Sequence, residues 1–313
     1  MKALAVDLGG SHATCALVED RGILRTKTLA TEGSKGLAPV LPLLAEALKA
    51  VMSETATRPS ECAGLAFCFC GLVDHVNYRV ISTNAKYDDA PHLDLKGWCE
   101  SSLGVRFEIE NDARMALLGE SYAGAAQGFE DIVMITLGTG IGGAAMIQGQ
   151  LLRGKHAQAG CLGGHLPVLF NGRRCTCGAI GCAEAEASGW ALPEVCRATP
   201  GFASSPLSRE NPITFERLFH YASAGDPVAV KVRDRCLTVW GAATVGLIHA
   251  YDPEVVVLGG GVMKSASMIL PFLQDYANRN AWTPWGKVSL RCAELGNQAA
   301  LLGAIPLLQG RAN

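Results

Sequence analysis

Two stretches of this chain repeat one pattern: an apolar strand, a glycine-rich turn and a second apolar strand. That repetition limits the fold more than any other feature. The first runs Ala3-Leu4-Ala5-Val6-Asp7-Leu8-Gly9-Gly10-Ser11-His12-Ala13-Thr14-Cys15-Ala16-Leu17. The second runs Ile132-Val133-Met134-Ile135-Thr136-Leu137-Gly138-Thr139-Gly140-Ile141-Gly142-Gly143-Ala144-Ala145-Met146-Ile147. Each predicts a hairpin whose turn exposes backbone N–H groups, and such turns form concave anion sites. A third glycine run, Gly259-Gly260-Gly261, follows the apolar Glu254-Val255-Val256-Val257-Leu258 and precedes a helix expected near Ser265, a further start suited to a nucleotide. No Gly-Lys-Ser or Gly-Lys-Thr occurs, and the first turn lacks the spacing of a dinucleotide fingerprint. The order of the three clusters therefore implies a polyphosphate held without either motif.

At 313 residues the chain exceeds the size at which one core usually divides, so two domains are expected. An acid at position 7 interrupts the apolar run that a secretory signal would need, which predicts a cytoplasmic protein whose twelve cysteines stay reduced. No uninterrupted apolar stretch reaches the roughly 18 residues of a membrane span. A net charge of −2 without Lys/Arg clusters argues against a nucleic-acid surface. The expected ligand is small.

Between the hairpins, Val105-Arg106-Phe107-Glu108-Ile109-Glu110-Asn111-Asp112 reads as a strand that hands over to a helix beginning at Asp112. An Asp in that place can cap the helix, contributing about 0.5–2 kcal/mol. Strand-to-helix junctions are also where ligand crevices open in α/β folds. A carboxylate there can accept a proton from a hydroxyl as a phosphoryl group arrives.

The most specific stretch is His165-(x9)-Cys175-Thr176-Cys177-Gly178-(x3)-Cys182-Ala183-Glu184. Three thiols and an imidazole in one glycine-broken loop suit tetrahedral Zn²⁺, whose ligands lie at about 2.0–2.3 Å. Gly178 and Gly181 permit the tight turns this needs. Four protein ligands leave no open position for water, which makes the expected zinc structural.

These segments together are similar to the ROK family, which groups repressors, ORF proteins and sugar kinases. The likeness extends through Val257-Leu258-Gly259-Gly260-Gly261-Val262 to the C-terminal Leu295–Ala304, and so covers essentially the whole chain. It implies an α/β, actin/hexokinase-like (ribonuclease H-like) fold of two lobes with the active site in the cleft between them. The lobes expected are residues 1–112 with a C-terminal helix from about 299, and residues 113–298. The implied activity is ATP-dependent phosphorylation of a hexose or hexose derivative, of glucokinase, fructokinase or N-acetylhexosamine kinase type, with ATP, Mg²⁺ and Zn²⁺. By position, Asp112 matches the catalytic base, while Asn111, Glu184 and His165 match sugar contacts, with Gly71, Thr83 and Asn84 near the same pocket. Asp7 matches the acid near the Mg²⁺–phosphate group. Gly9, Gly10, Ser11, Gly138, Thr139, Gly140, Gly259, Gly260 and Gly261 match the nucleotide turns. Homo-oligomers are common in the family and are expected here.

Departures from the family pattern fall around the sugar. Family kinases carry Ala-Gly-Glu-(apolar)-Gly-His; this chain has Ala159-Gly160-Cys161-Leu162-Gly163-Gly164-His165, so no carboxylate fills that place. Cys68-Phe69-Cys70-Gly71-Leu72 replaces a Pro-Gly turn, and Ser11 replaces a frequent Thr. The missing Glu admits a second reading, a non-catalytic sugar sensor. A DNA-binding version is not expected, because the first strand starts at residue 2.

Overall fold

The computed structural model describes residues 1–83 and 85–310. The chain forms two compact units. The first comprises Met1–Gly128, Gln148–Ala159 and the segment from Glu294 onward; the second comprises Phe129–Ile147 and Gly160–Ala293.

In the first unit, five strands lie in the order Gly22–Ala30, His12–Glu19, Lys2–Leu8, Cys62–Phe69 and Phe107–Asn111. The hairpin Lys2–Leu8/His12–Glu19 is antiparallel, and Cys62–Phe69 and Phe107–Asn111 continue the sheet in parallel. Lys2–Leu8 is nearly all apolar because both of its faces are covered, as parallel sheets require; Ala3, Leu4 and Ala5 are fully buried. The helix Leu41–Glu54 presents Leu44, Leu48 and Val51 to the core shared with Leu4, Val6 and Cys15. It begins at Leu41, with Pro42 in its first turn, where a proline's missing N–H has no partner to lose. The outer strand Gly22–Ala30 is blunted by charge, with Arg25 and Lys27 both pairing with Glu54.

The helix Asp112–Ala123 belongs with this unit, and so the boundary differs from the one expected after Asp112. It packs against the helices Ala299–Leu302 and Ala304–Leu308. The buried Glu120 ties the C-terminal segment to it, accepting from the N–H groups of Ala125 at 2.8 Å, Leu295 at 2.9 Å and Glu294 at 3.2 Å.

The second unit repeats the plan. Its strands run Ile141–Ile147, Ile132–Leu137, Val255–Gly259 and Ser289–Cys292, again an antiparallel hairpin followed by two parallel strands. The helix Pro227–Tyr251 fills the region read as a core helix and buries Val232, Leu237, Trp240 and Leu247. Among the described residues no helix is long and apolar enough to cross a membrane.

Candidate active site

In the first unit the strand register brings the predicted residues together. Asp7 stands beside Cys68, and Cys68 beside Glu110; Leu8, Phe69 and Asn111 form the next row. The three parallel strands thus end together, with Asp7 just short of the Gly9–Ser11 turn and Asp112 opening its helix. The turn closes as expected, with Gly9 N–H donating to His12 O at 2.9 Å.

Asn111, rather than Asp112, caps the helix. Its Oδ1 accepts from the N–H groups of Ala113 at 3.1 Å and Arg114 at 3.3 Å, while its Nδ2 donates to Gly71 O at 3.0 Å and to Asp112 Oδ1 at 2.9 Å. Asp112 is the first helical residue, one carboxylate oxygen accepting from Ala113 N–H at 2.8 Å. With Asn111 carrying the cap, the Asp112 carboxylate is available for chemistry. It is reachable by solvent yet densely surrounded. That crowding raises its pKa above the ordinary Asp value; the Asp7 charge adds to the rise, while the Ala113 N–H, the Asn111 amide and the Lys86 ammonium oppose it. Asp7 is likewise raised, chiefly by burial, against the Cys68 thiol that hydrogen-bonds to it and the nearby His12.

Sequence reasoning missed what lies beneath. Glu110 is fully buried, with Arg153 Nε at 2.7 Å from one oxygen and Arg114 Nη1 at 3.4 Å from the other. Arg114 Nη2 donates to Ala157 O at 3.1 Å and Ala159 O at 2.7 Å. This buried group anchors the strand end behind Asn111, since Glu110 also accepts from Asn111 N–H at 2.9 Å. The four-residue spacing of Glu110 and Arg114 was a visible signal; nothing in the sequence pointed to Arg153. Thr83 donates to Asp88 Oδ1 at 2.6 Å, and Asn84 lies outside the described residues.

In the second unit, the two remaining glycine clusters meet. Gly259 pairs with Thr136 across the sheet, and a Cβ on Gly260 would lie 2.3 Å from Leu137 O, so the Gly138–Gly140 turn and the Gly259–Gly261 run share one strand end. A short turn, Gly261–Ser265, then leads into the helix Ala266–Asn280, the start expected near Ser265. The Gly138 and Thr139 carbonyls accept from Gly189 and Trp190 N–H, both at 2.9 Å. Glu184 is bound to the same turn: Oε2 accepts from Ile141 N–H at 2.8 Å and Oε1 from Trp190 Nε1 at 3.2 Å.

The loop of thiols closes as the spacing requires. The ligand atoms of His165, Cys175, Cys177 and Cys182 all lie within 4.8 Å of one another. Cys177 Sγ and Cys182 Sγ are 3.6 Å apart, and Cys175 Sγ is 3.5 Å from His165 Nδ1. Tetrahedral zinc with ligands at about 2.3 Å (S) and about 2.0 Å (N) sets such edges at roughly 3.5–3.8 Å, so the residues present fit the ion. Burial and the neighbouring thiols push Cys182 up to about 12, a crowding that a cation relieves. Gly181 makes the loop possible: its φ is +75°, and a Cβ there would stand 1.5 Å from Leu169 O.

The model of the ROK family matches residues 3–311, and the chain belongs to that family. The glucokinase of Thermotoga maritima is 31% identical, with 99% of this chain and 98% of that protein covered. The structure of a ROK hexokinase from Thermus thermophilus superposes with a TM-score of 0.81 at 32% identity, covering 97% of this chain and 96% of that one. A ROK family glucokinase from Streptomyces griseus, solved in complex with glucose and AMPPNP, gives 0.79 at 29% identity, covering 99% of this chain and all of the other. The fold is the α/β, actin/hexokinase-like class.

Proposed function

We propose that this protein is an ATP-dependent hexose kinase with Asp112 as its general base. The observation that carries the reading is the Asp112 carboxylate itself. It stands at the joint end of three parallel strands, is relieved of the capping role by Asn111, and is raised in pKa toward the range useful to a base. Full-length similarity to proteins named glucokinase supports the substrate class.

Phosphoryl transfer asks little covalent chemistry of the protein; alignment and charge neutralisation dominate. Asp112 accepts the proton of the attacking sugar hydroxyl. Asn111 holds that carboxylate in place through its amide. The Gly9–Ser11 turn offers the N–H groups of Gly10 and Ser11 to phosphate oxygens, the Gly9 N–H being held by His12 O; within the second unit, the Gly138–Gly140 turn and the Gly259–Gly261 run offer nucleotide contacts. Asp7 is the residue that would hold Mg²⁺, which supplies charge neutralisation on the phosphates. His165, Cys175, Cys177 and Cys182 would hold zinc, which fixes the loop carrying His165 and Glu184. Leu162, partly exposed where family kinases carry a carboxylate, leaves this sugar site one charged acceptor short.

The test is ADP release from Mg²⁺-ATP over a panel of hexoses, ketohexoses, N-acetylhexosamines and deoxy sugars, with Asp112→Asn as control. Turnover on one sugar class, lost in the variant, is the expected outcome. Absence of turnover on every sugar by folded, zinc-loaded protein moves the reading to a sugar-binding sensor.

A further inference from the structure

One cation beside the first glycine turn has no part in the roles described so far. Lys86 lies across Gly10: a Cβ on that glycine would stand 2.9 Å from Lys86 Cδ and Cε and 3.1 Å from Nζ. The absence of a side chain at Gly10 therefore leaves the space that the lysine stem occupies. Its backbone is fixed from both sides of the same turn. Tyr87 N–H donates to Gly33 O at 2.6 Å, and the Tyr87 hydroxyl donates to Gly9 O at 2.6 Å with Thr31 Oγ1 at 2.9 Å. Tyr87 is fully buried, while Lys86 is exposed. Two residues further on, Asp89 accepts from the N–H groups of Leu37 at 2.6 Å and Ala38 at 2.8 Å, which pins the segment a second time.

A solvated surface lysine needs no such anchorage. Here the chain spends a buried tyrosine on setting one ammonium over a turn whose N–H groups suit phosphate. The groups in its field are Asp112, on which its charge acts directly, and the Cys70 thiol; Asp7 in turn acts on Asp112. Among the described residues no carboxylate forms an ion pair with Lys86. Its ammonium is thus left without an ion-pair partner over Gly10.

We infer that Lys86 is a catalytic cation that binds the terminal phosphoryl group of the nucleotide at the Gly9–Ser11 turn. The inference rests on the kinase reading and follows from position. A hydroxyl giving its proton to Asp112 must attack the nearest phosphorus, and that is the transferable one, so a cation lying across Gly10, at the turn that leaves the strand end shared with Asn111 and Asp112, meets the γ-phosphoryl rather than the α- or β-group. An ammonium there neutralises charge on the equatorial oxygens during transfer. No bond to Lys86 forms; the bond from the γ-phosphorus to the β–γ bridging oxygen breaks, the phosphoryl passes from ATP to the sugar oxygen, ADP leaves, and the hydroxyl proton passes to Asp112.

The experiment compares the full-length wild type with Lys86→Met and Lys86→Arg. Calorimetric binding of Mg²⁺-ADP and Mg²⁺-AMPPNP is measured beside steady-state turnover on the best hexose. In Lys86→Met, ADP affinity stays within twofold, AMPPNP affinity falls at least tenfold, kcat falls about 10²-fold and the sugar KM holds within twofold; Lys86→Arg regains part of both losses. An unchanged AMPPNP-to-ADP affinity ratio in Lys86→Met overturns the inference, whatever the turnover. A wild type that turns over no sugar, yet prefers AMPPNP in a Lys86-dependent way, retains the nucleotide contact and removes the kinase reading instead.

Discussion

The two units use one construction to different ends. Each sheet places an antiparallel hairpin beside two parallel strands, and each hairpin turns on glycines where the parallel strands end. In the first unit that end carries carboxylates, Asp7 and Asp112, over the buried Glu110 with Arg114 and Arg153. In the second unit the equivalent end carries Leu137, Gly138–Gly140 and Gly259–Gly261, and the carboxylate there, Glu184, is hydrogen-bonded to the turn itself. The same backbone frame thus ends on two carboxylates in one place and on a glycine turn tied to a carboxylate in the other. What separates them is which side chains the strand ends carry and what is buried beneath them.

Four experiments would break or sharpen that contrast. If reactive charge is confined to the first unit, Asp112→Asn lowers turnover by about 10²–10⁴-fold, the share typical of general-base catalysis. It leaves nucleotide affinity within a fewfold; steady-state kinetics and calorimetry check both. If the Glu110 group is the foundation of that end, Arg114→Met leaves a buried carboxylate with one of its two arginine partners and removes the guanidinium from the carbonyls of Ala157 and Ala159. A loss of about 3–5 kcal/mol is expected in denaturant unfolding. A value under about 1 kcal/mol would mean that Arg153 alone suffices.

The second unit is probed through its candidate metal site. Cys177→Ser should reduce bound zinc from about one per chain to none by elemental analysis. Sugar KM should rise about 10–100-fold, with nucleotide binding kept, because Cys177 lies in the thiol loop and not in the glycine turns. Unchanged zinc content would refute the ligand set. The smallest effect concerns pH. A base with a raised pKa is protonated earlier on acidification, so the acid limb of kcat/KM should lie above the ordinary Asp value of about 3.9. The same shift means that the folded state binds this proton more tightly than the unfolded chain. The ionised carboxylate therefore destabilises the fold at pH values above its unfolded pKa, and the effect fades as pH falls through the folded one. Asp112→Asn should accordingly show a slightly higher Tm at pH 7 than the wild type, and that gain should shrink at acid pH.

Much of this was legible in the residues because the signals are local. Strand–glycine–strand periodicity, one His and three Cys within 18 positions and an Asn-Asp pair at a strand-to-helix junction are each written within one short segment, and short segments fold with little choice of geometry. The reassignment of the cap to Asn111 shows the resolution limit of such reading. Asn and Asp are equally good caps, and only the backbone torsions at the junction, with Asn111 extended and Asp112 helical, decide between them.

Other features depended on long-range contact. Arg153 reaches Glu110 from 43 residues away, and Tyr87 reaches Gly9 from 78; no spacing rule links residues so far apart. The helix Asp112–Ala123 joins the first unit because a C-terminal segment packs on it and Glu120 receives that segment's N–H groups. The sequence by itself determined the strand–glycine–strand hairpins and the spacing of His165, Cys175, Cys177 and Cys182, since these follow from backbone sterics and side-chain chemistry within a few residues. Tertiary structure alone decided which carboxylates are buried with partners and which is left available, because burial and electrostatic environment are properties of the packed chain.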